Sequence, residues 1–322
     1  MVASDLEAPT TMPTARLALA LALAFDLVAI GIGAAGTTGP QSTAPPTTSP
    51  PPATAPHGAA AAPKGGDETA ERARLEAAVA GDPTDAAARL RLGDFLARSG
   101  EIDAAVTTFQ QAAELAKSPD DLAAAHLAIA ILEREQGDAD EALRRYQLAL
   151  QAAPRKPLAL KGAATLLAQL GRYRDAVPYF GRLIAADPGS SQARIGGATA
   201  LILAGEYARA RIALEQALTA FPENLTLLDV LARHLAACPD HAVRDGKLAV
   251  ELAQRLVDKV PTAESHETLG MAYAQAGQFE RAVAEQQELI QRFGASADPA
   301  DAQRWQANLD RYQGGHTCCV GE

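Results

Sequence analysis

His234, Cys238 and His241 stand in an H-x3-C-x2-H spacing, and these three residue types ligate zinc and other borderline metals. The set lacks a fourth ligand and holds Pro239 in its middle, which favours loop polarity and a half-buried thiol over a metal site. His316, Cys318 and Cys319 form a second group suited to a soft metal shared with a partner chain. Either group would serve a metal- or redox-linked accessory protein. Three cysteines, two of them adjacent, do not make a disulfide framework, because a bridge between neighbours is strained. Asp and Glu pairs are many, but none stands out as a general acid and base. The phosphate-loop motif GxxxxGK[ST], the HExxH zinc motif, the GxSxG nucleophile motif and CxxCH haem attachment are absent from the sequence. The reading is therefore no catalytic residue, no small-molecule substrate, no cofactor and no metal.

Composition points to helices and to binding. Apolar residues make up 48% of the 322 but aromatics only 4%, so alanine and leucine fill the core. That suits short, close-packed helices better than a sheet. The net charge is −10, from 39 acidic and 29 basic residues spread along the chain. Phosphate contacts need clustered Lys and Arg, so nucleic acid is not an expected partner.

Residues 1–36 read as a signal peptide or an N-terminal membrane anchor. Leu17 to Gly36 is an apolar run broken once, by Asp26, with Arg16 before it and no further Lys or Arg until Lys64. About 20 apolar residues span a bilayer, and the charge asymmetry places the remainder of the chain outside. Asp26 at mid-membrane depth costs roughly 2.5–3.5 kcal/mol, which disfavours the anchor over the cleaved signal. Met12 is an alternative start to Met1 and gives a more ordinary signal shape. Residues 37–66, rich in Pro, Thr, Ser, Ala and Gly, read as a disordered linker. The expected location is exported, on the periplasmic or extracellular side.

The rest of the chain repeats. Gly137, Gly171 and Gly205 are 34 residues apart, and Gly100 and Gly277 stand in the same local pattern. Five residues after each glycine comes a small residue (Ala105, Ala142, Ala176, Ala210, Ala282), and four further on Phe109, Tyr146, Phe180, Leu214 or Gln286. Seven before each glycine is Gly93, Ala130, Ala164, Ala198 or Gly270, with Ala232 continuing the series. Pro154, Pro188 and Pro222 close units at the same interval of 34. Antiparallel helices approach closely only where side chains are small, glycine ends the first helix of a pair, and proline ends the second. No pair buries its apolar face alone, so the pairs must stack.

This pattern resembles the tetratricopeptide-repeat (TPR) family, of the bacterial exported or membrane-anchored type, over about residues 86–296. The resemblance implies an all-α, right-handed helical solenoid of about six helix-turn-helix repeats. Residues 67–313 form that solenoid, and 314–322 a disordered tail. Glu68–Ala80 reads as an N-terminal half-repeat. Pro299–Gln313, with Ala302, Trp305, Leu309 and Tyr312 at helical spacing, reads as a C-terminal capping helix. Pro178 falls near the first turn of its helix, where a missing N–H is tolerated. The fifth unit replaces the turn glycine with Pro239 and runs 39 residues from Pro222 to Pro261, which predicts a protruding loop.

Proteins of this family bind extended peptides or helices on the inner face of the first helix of each repeat. Matched by position, that face comprises Leu90, Asp94 and Arg98, then Leu127, Ile131 and Arg134, then Lys161 and Thr165. Ile195 and Thr199, Asp229 and Arg233, and Glu267 and Met271 complete it. Leu90 and Asp94 occupy positions where the family's carboxylate clamp has Lys and Asn, so that specificity is not expected. The functional expectation is a non-catalytic scaffold or adaptor for a protein or peptide segment, touching a membrane only through an uncleaved leader.

Overall fold

A computed structural model describes residues 64–317 of the chain. Among the described residues there are fourteen α-helices and no strand. Helix α1 (Lys64–Gly81) leads six hairpins. These are α2 (Ala86–Arg98) with α3 (Ile102–Leu115), α4 (Pro119–Glu135) with α5 (Ala139–Ala152), and α6 (Pro157–Gln169) with α7 (Tyr173–Ala186). Then come α8 (Ser191–Leu203) with α9 (Tyr207–Ala220), α10 (Leu225–Ala237) with α11 (Gly246–Lys259), and α12 (Ala263–Gln275) with α13 (Phe279–Phe293). Helix α14 (Pro299–Gln313) closes the array. Each helix packs on its neighbours in sequence, the order a solenoid requires.

The two ends of a hairpin are specified differently. Five first helices and α14 are opened by side chains: Asp85, Ser118, Ser190, Asn224, Thr262 and Asp298 each accept a backbone N–H from the first turn, whereas α6 starts on Pro157 without a side-chain cap. Second helices that follow a turn glycine have no such cap, because the glycine sets the turn; α11, which follows the loop without that glycine, is capped by Asp245. At Gly137 the backbone holds φ of 89°, a left-handed conformation that glycine adopts without steric penalty. The Gly137 N–H then donates to the Arg134 carbonyl and the Asp138 N–H to that of Glu133, a Schellman closure. Gly100, Gly171, Gly205 and Gly277 repeat the same bonds.

The small residues lie where the helices meet. Ala105, Ala142, Ala176, Ala210 and Ala282 are all fully buried. The large residue four places later wedges between repeats. A Cβ built on Gly162 would fall 2.3 Å from the Tyr146 ring, and one on Gly196 would fall 2.5 Å from that of Phe180. Each ring therefore leans forward onto a glycine of the next first helix. Phe109 leans back instead, onto Gly93 of its own repeat. Glycine inside a helix costs about 0.5–1 kcal/mol against alanine, and burial of the ring offsets it.

Arginines fasten the connections between repeats. Arg182 donates to the Pro154 carbonyl at 2.8 Å, Arg194 to that of Pro188 at 3.2 Å and Arg255 to that of Pro222 at 3.0 Å.

Three sequence expectations change. The fifth-hairpin loop does not stand free. Arg211 of α9 donates to the Val243 carbonyl at 3.0 Å and meets Asp245 at 3.3 Å, and Val243 is buried. Arg244 donates to the Cys238 carbonyl at 2.6 Å, so the loop folds back over a buried Cys238. Its exit is tight, since a Cβ on Gly246 would lie 2.6 Å from the Ala276 backbone nitrogen. Pro178 is the sixth residue of α7, beyond the first turn, and is exposed. The Arg174 carbonyl is thereby left without its helical donor. On α14, Trp305, Leu309 and Tyr312 are buried as expected, but Ala302 is exposed and Asn308 takes the fourth inward place.

Candidate partner-binding face

The row of positions on the first helices changes character along the solenoid. On α2, Leu90 is half-buried, while Asp94 and Arg98 are exposed. Desolvation pushes the Asp94 carboxyl up, partly opposed by Arg98. Arg98 lies over the Phe95 ring and pairs with Glu71 of α1 at 3.2 Å. On α4, Leu127 is buried, while Ile131 and Arg134 are half-buried. On α6, Lys161 is exposed and Thr165 half-buried; on α8, Ile195 is half-buried and Thr199 buried.

In the last two repeats the row turns on itself. Arg233 pairs with Asp229 at 2.9 Å and donates to the Glu264 carbonyl at 3.0 Å. Asp229 also accepts from the Thr268 hydroxyl at 2.7 Å. Glu267 is buried and takes both bonds from Arg304 of α14, at 2.8 and 3.3 Å. That bidentate pairing holds the Arg304 guanidinium above its already high pKa, with Asp301 adding to it. Met271 is buried beside them. Accessible side chains of the row thus belong mostly to α2, α4, α6 and α8.

The row has a member that the positional match passed over. Leu158, one turn before Lys161 on α6, is 63% exposed, the most open of the large apolar side chains among the described residues. A Pro-Leu pair at a helix start is the signal that would have found it. Charge is also less even than the totals suggest. Residues 142–205 carry nine Lys and Arg against two acids, Asp175 and Asp187.

This is the repeat geometry of one known family. The chain carries tetratricopeptide repeats. Models of the tetratricopeptide repeat match residues 84–155, 161–224 and 263–293. The gap between the last two matches holds the fifth hairpin, where Pro239 stands in place of glycine. Similar solved structures include a tetratricopeptide repeat protein from Parabacteroides merdae, with 19% identity over 77% of this chain and 93% of that one, at a TM-score of 0.43. Another is MamA of Desulfovibrio magneticus RS-1, with 21% identity, 55% and 97% coverage and a TM-score of 0.47. PilF of Pseudomonas aeruginosa shows 17% identity, 75% and 99% coverage and a TM-score of 0.48. No curated protein sequence matches the chain. Tetratricopeptide repeats are typically binding modules rather than catalytic ones.

The repeats separate the residues whose spacing suggested a metal. His234 is buried, with Nε2 3.0 Å from the Tyr207 carbonyl and its ring tilted against that of Tyr207. Desolvation pushes its pKa down. His241 is exposed. Among the described residues, no three His, Cys, Asp or Glu side chains gather to hold a metal ion. Cys318 and Cys319 lie outside the described residues, and His316 is exposed at their edge. The leader, 1–36, and most of the linker also lie outside them. No described helix is long and apolar enough to cross a membrane.

Proposed function

We propose that this chain is a non-catalytic adaptor that holds a segment of another protein along the first helices of its first four repeats. The observation that carries this reading is the contrast along that row. Half-buried or exposed Leu90, Ile131, Leu158, Lys161, Thr165 and Ile195 give an apolar strip with isolated charge, while the matching positions of α10 and α12 are already paired within the chain. Apolar strips edged by charge bind extended or helical segments, with the charge selecting among them.

A photo-crosslinking residue placed at Thr165 tests the reading against one at Ala185 on the second-helix side, which is exposed. Adducts should concentrate at position 165. Equal or stronger crosslinking at 185 would remove the assignment.

Export or tethering by residues 17–36 belongs to the same proposal, supported by the length of the apolar run and the charge difference across it. Fractionation of cells making the full chain should place it with membranes or outside the cytoplasm. A wholly cytosolic protein would sink this part and leave the adaptor reading intact.

A further inference from the structure

The chain is acidic, with a net charge of −10, yet its middle is basic: nine Lys and Arg against two acids in residues 142–205. Four of those cations meet carboxylates: Arg144 and Arg145 at Glu141, Lys156 at Asp120 (3.7 Å) and Arg172 at Asp175 (2.9 Å). Arg155, Arg182 and Arg194 donate instead to the carbonyls of Ala185, Pro154 and Pro188. A carbonyl accepts the hydrogen bond and leaves the positive charge standing. Lys161 is exposed on the partner-binding row and has no ion-pair or hydrogen-bond partner among the described residues. Leu158 beside it, at 63% exposure, pays a hydration penalty in the free protein that an apolar contact would relieve.

The far end of the row has the opposite sign. Glu264, Glu267, Asp298 and Asp301, with Arg304 among them, line a cavity of about 340 Å³ between α12, α13 and α14. An anionic ligand is drawn to the middle repeats and turned away from the last two.

Resting on the adaptor reading, we propose that the section of the row on α4, α6 and α8 takes an acidic, leucine-containing segment of a partner protein. A carboxylate of that segment pairs with Lys161, and an apolar side chain covers Leu158 and Ile195.

The probe is a fluorescein-labelled peptide of Glu-Glu-Leu repeated four times, titrated with full-length protein in detergent micelles. Versions with Gln or Lys in place of Glu serve as controls. The Glu peptide should bind about tenfold or more tightly than the Gln peptide at low salt and lose that margin as salt rises. Lys161→Glu and Leu158→Ser should each weaken it by about fivefold or more without moving Tm, and Arg174→Glu, on α7, should not. Equal binding of the Gln or Lys peptide overturns the proposal, as does indifference to Lys161→Glu. A DNA duplex of about twenty base pairs bound in preference to the Glu peptide also overturns it, and would assign the basic middle to phosphate. If the Gln or Lys peptide binds better and Leu158→Ser abolishes that binding, this inference fails while the adaptor reading stands. If none of the peptides binds, both fail.

Discussion

Gly162 and Gly196 are the residues on which the spacing of the middle repeats turns. Their missing side chains are filled by the rings of Tyr146 and Phe180. Gly162→Ala should therefore destabilise the protein by about 1–3 kcal/mol in urea unfolding, although alanine favours helix, because the ring has to move out of its slot. A gain in stability would mean that the ring is not held there. His234 gives a pH dependence of defined sign. Burial lowers its folded pKa, so the unfolded chain binds the proton more readily. Stability is full above the unfolded value near 6.5 and is lost as pH falls through the folded pKa. Glu133, pushed up chiefly by desolvation, acts in the opposite sense at more acid pH. The difference between the protein and His234→Leu isolates the histidine: the variant should lose stability less steeply below pH 6.5, and identical slopes would contradict the burial argument. At this scale the sequence showed where small residues recur. It did not show which way each ring leans, because Gly93, Gly162 and Gly196 offer slots on different helices.

Element boundaries were the most legible feature, since glycine and proline mark most of them by backbone geometry. The departures occur where a distant residue intervenes. Nothing between Pro239 and Gly246 announces that Arg211, on the preceding hairpin, will hold the loop down. Arg211→Ala should speed hydrogen exchange at the amides of residues 241–245 while leaving exchange in α10 and α11 nearly unchanged. Unaltered loop exchange would show that the arginine is not the fastening. Pro178 offers a test of the opposite sign. It is exposed in the second turn of α7 and deprives the Arg174 carbonyl of its donor. Pro178→Ala restores that bond and should raise stability by about 1 kcal/mol or more. A loss would assign the proline a role in packing.

At the scale of the whole molecule, stacked repeats share stability with their neighbours, so the ends matter. Helix α14 buries Trp305, Leu309 and Tyr312 and supplies Arg304 to Glu267. A chain ending at residue 298 would expose the apolar face of α13 and leave Glu267 buried without its cation. It should melt about 5 °C or more below the full chain. Adding Glu267→Gln to the truncated chain should recover part of that loss, whereas in the full chain the same change should destabilise. If the truncated chain melted like the full one, the capping role would fall. The same helix also limits the partner-binding row, because what it pairs with at α12 is no longer offered to a ligand.

Sequence by itself determined the helical hairpins, their number, their period and the two capping helices. Those follow from local rules: small residues where backbones touch, glycine where a left-handed turn is required, and proline where a helix must stop. Only the tertiary structure decided which positions of the inner row are open. Exposure depends on neighbours remote in the chain, so Leu127, Thr199, Glu267 and Met271, equivalent by position to their open counterparts, are buried. Uncompensated charge is decided in the same way, since a lysine's partner is set by what folds against it and not by what precedes it in the chain.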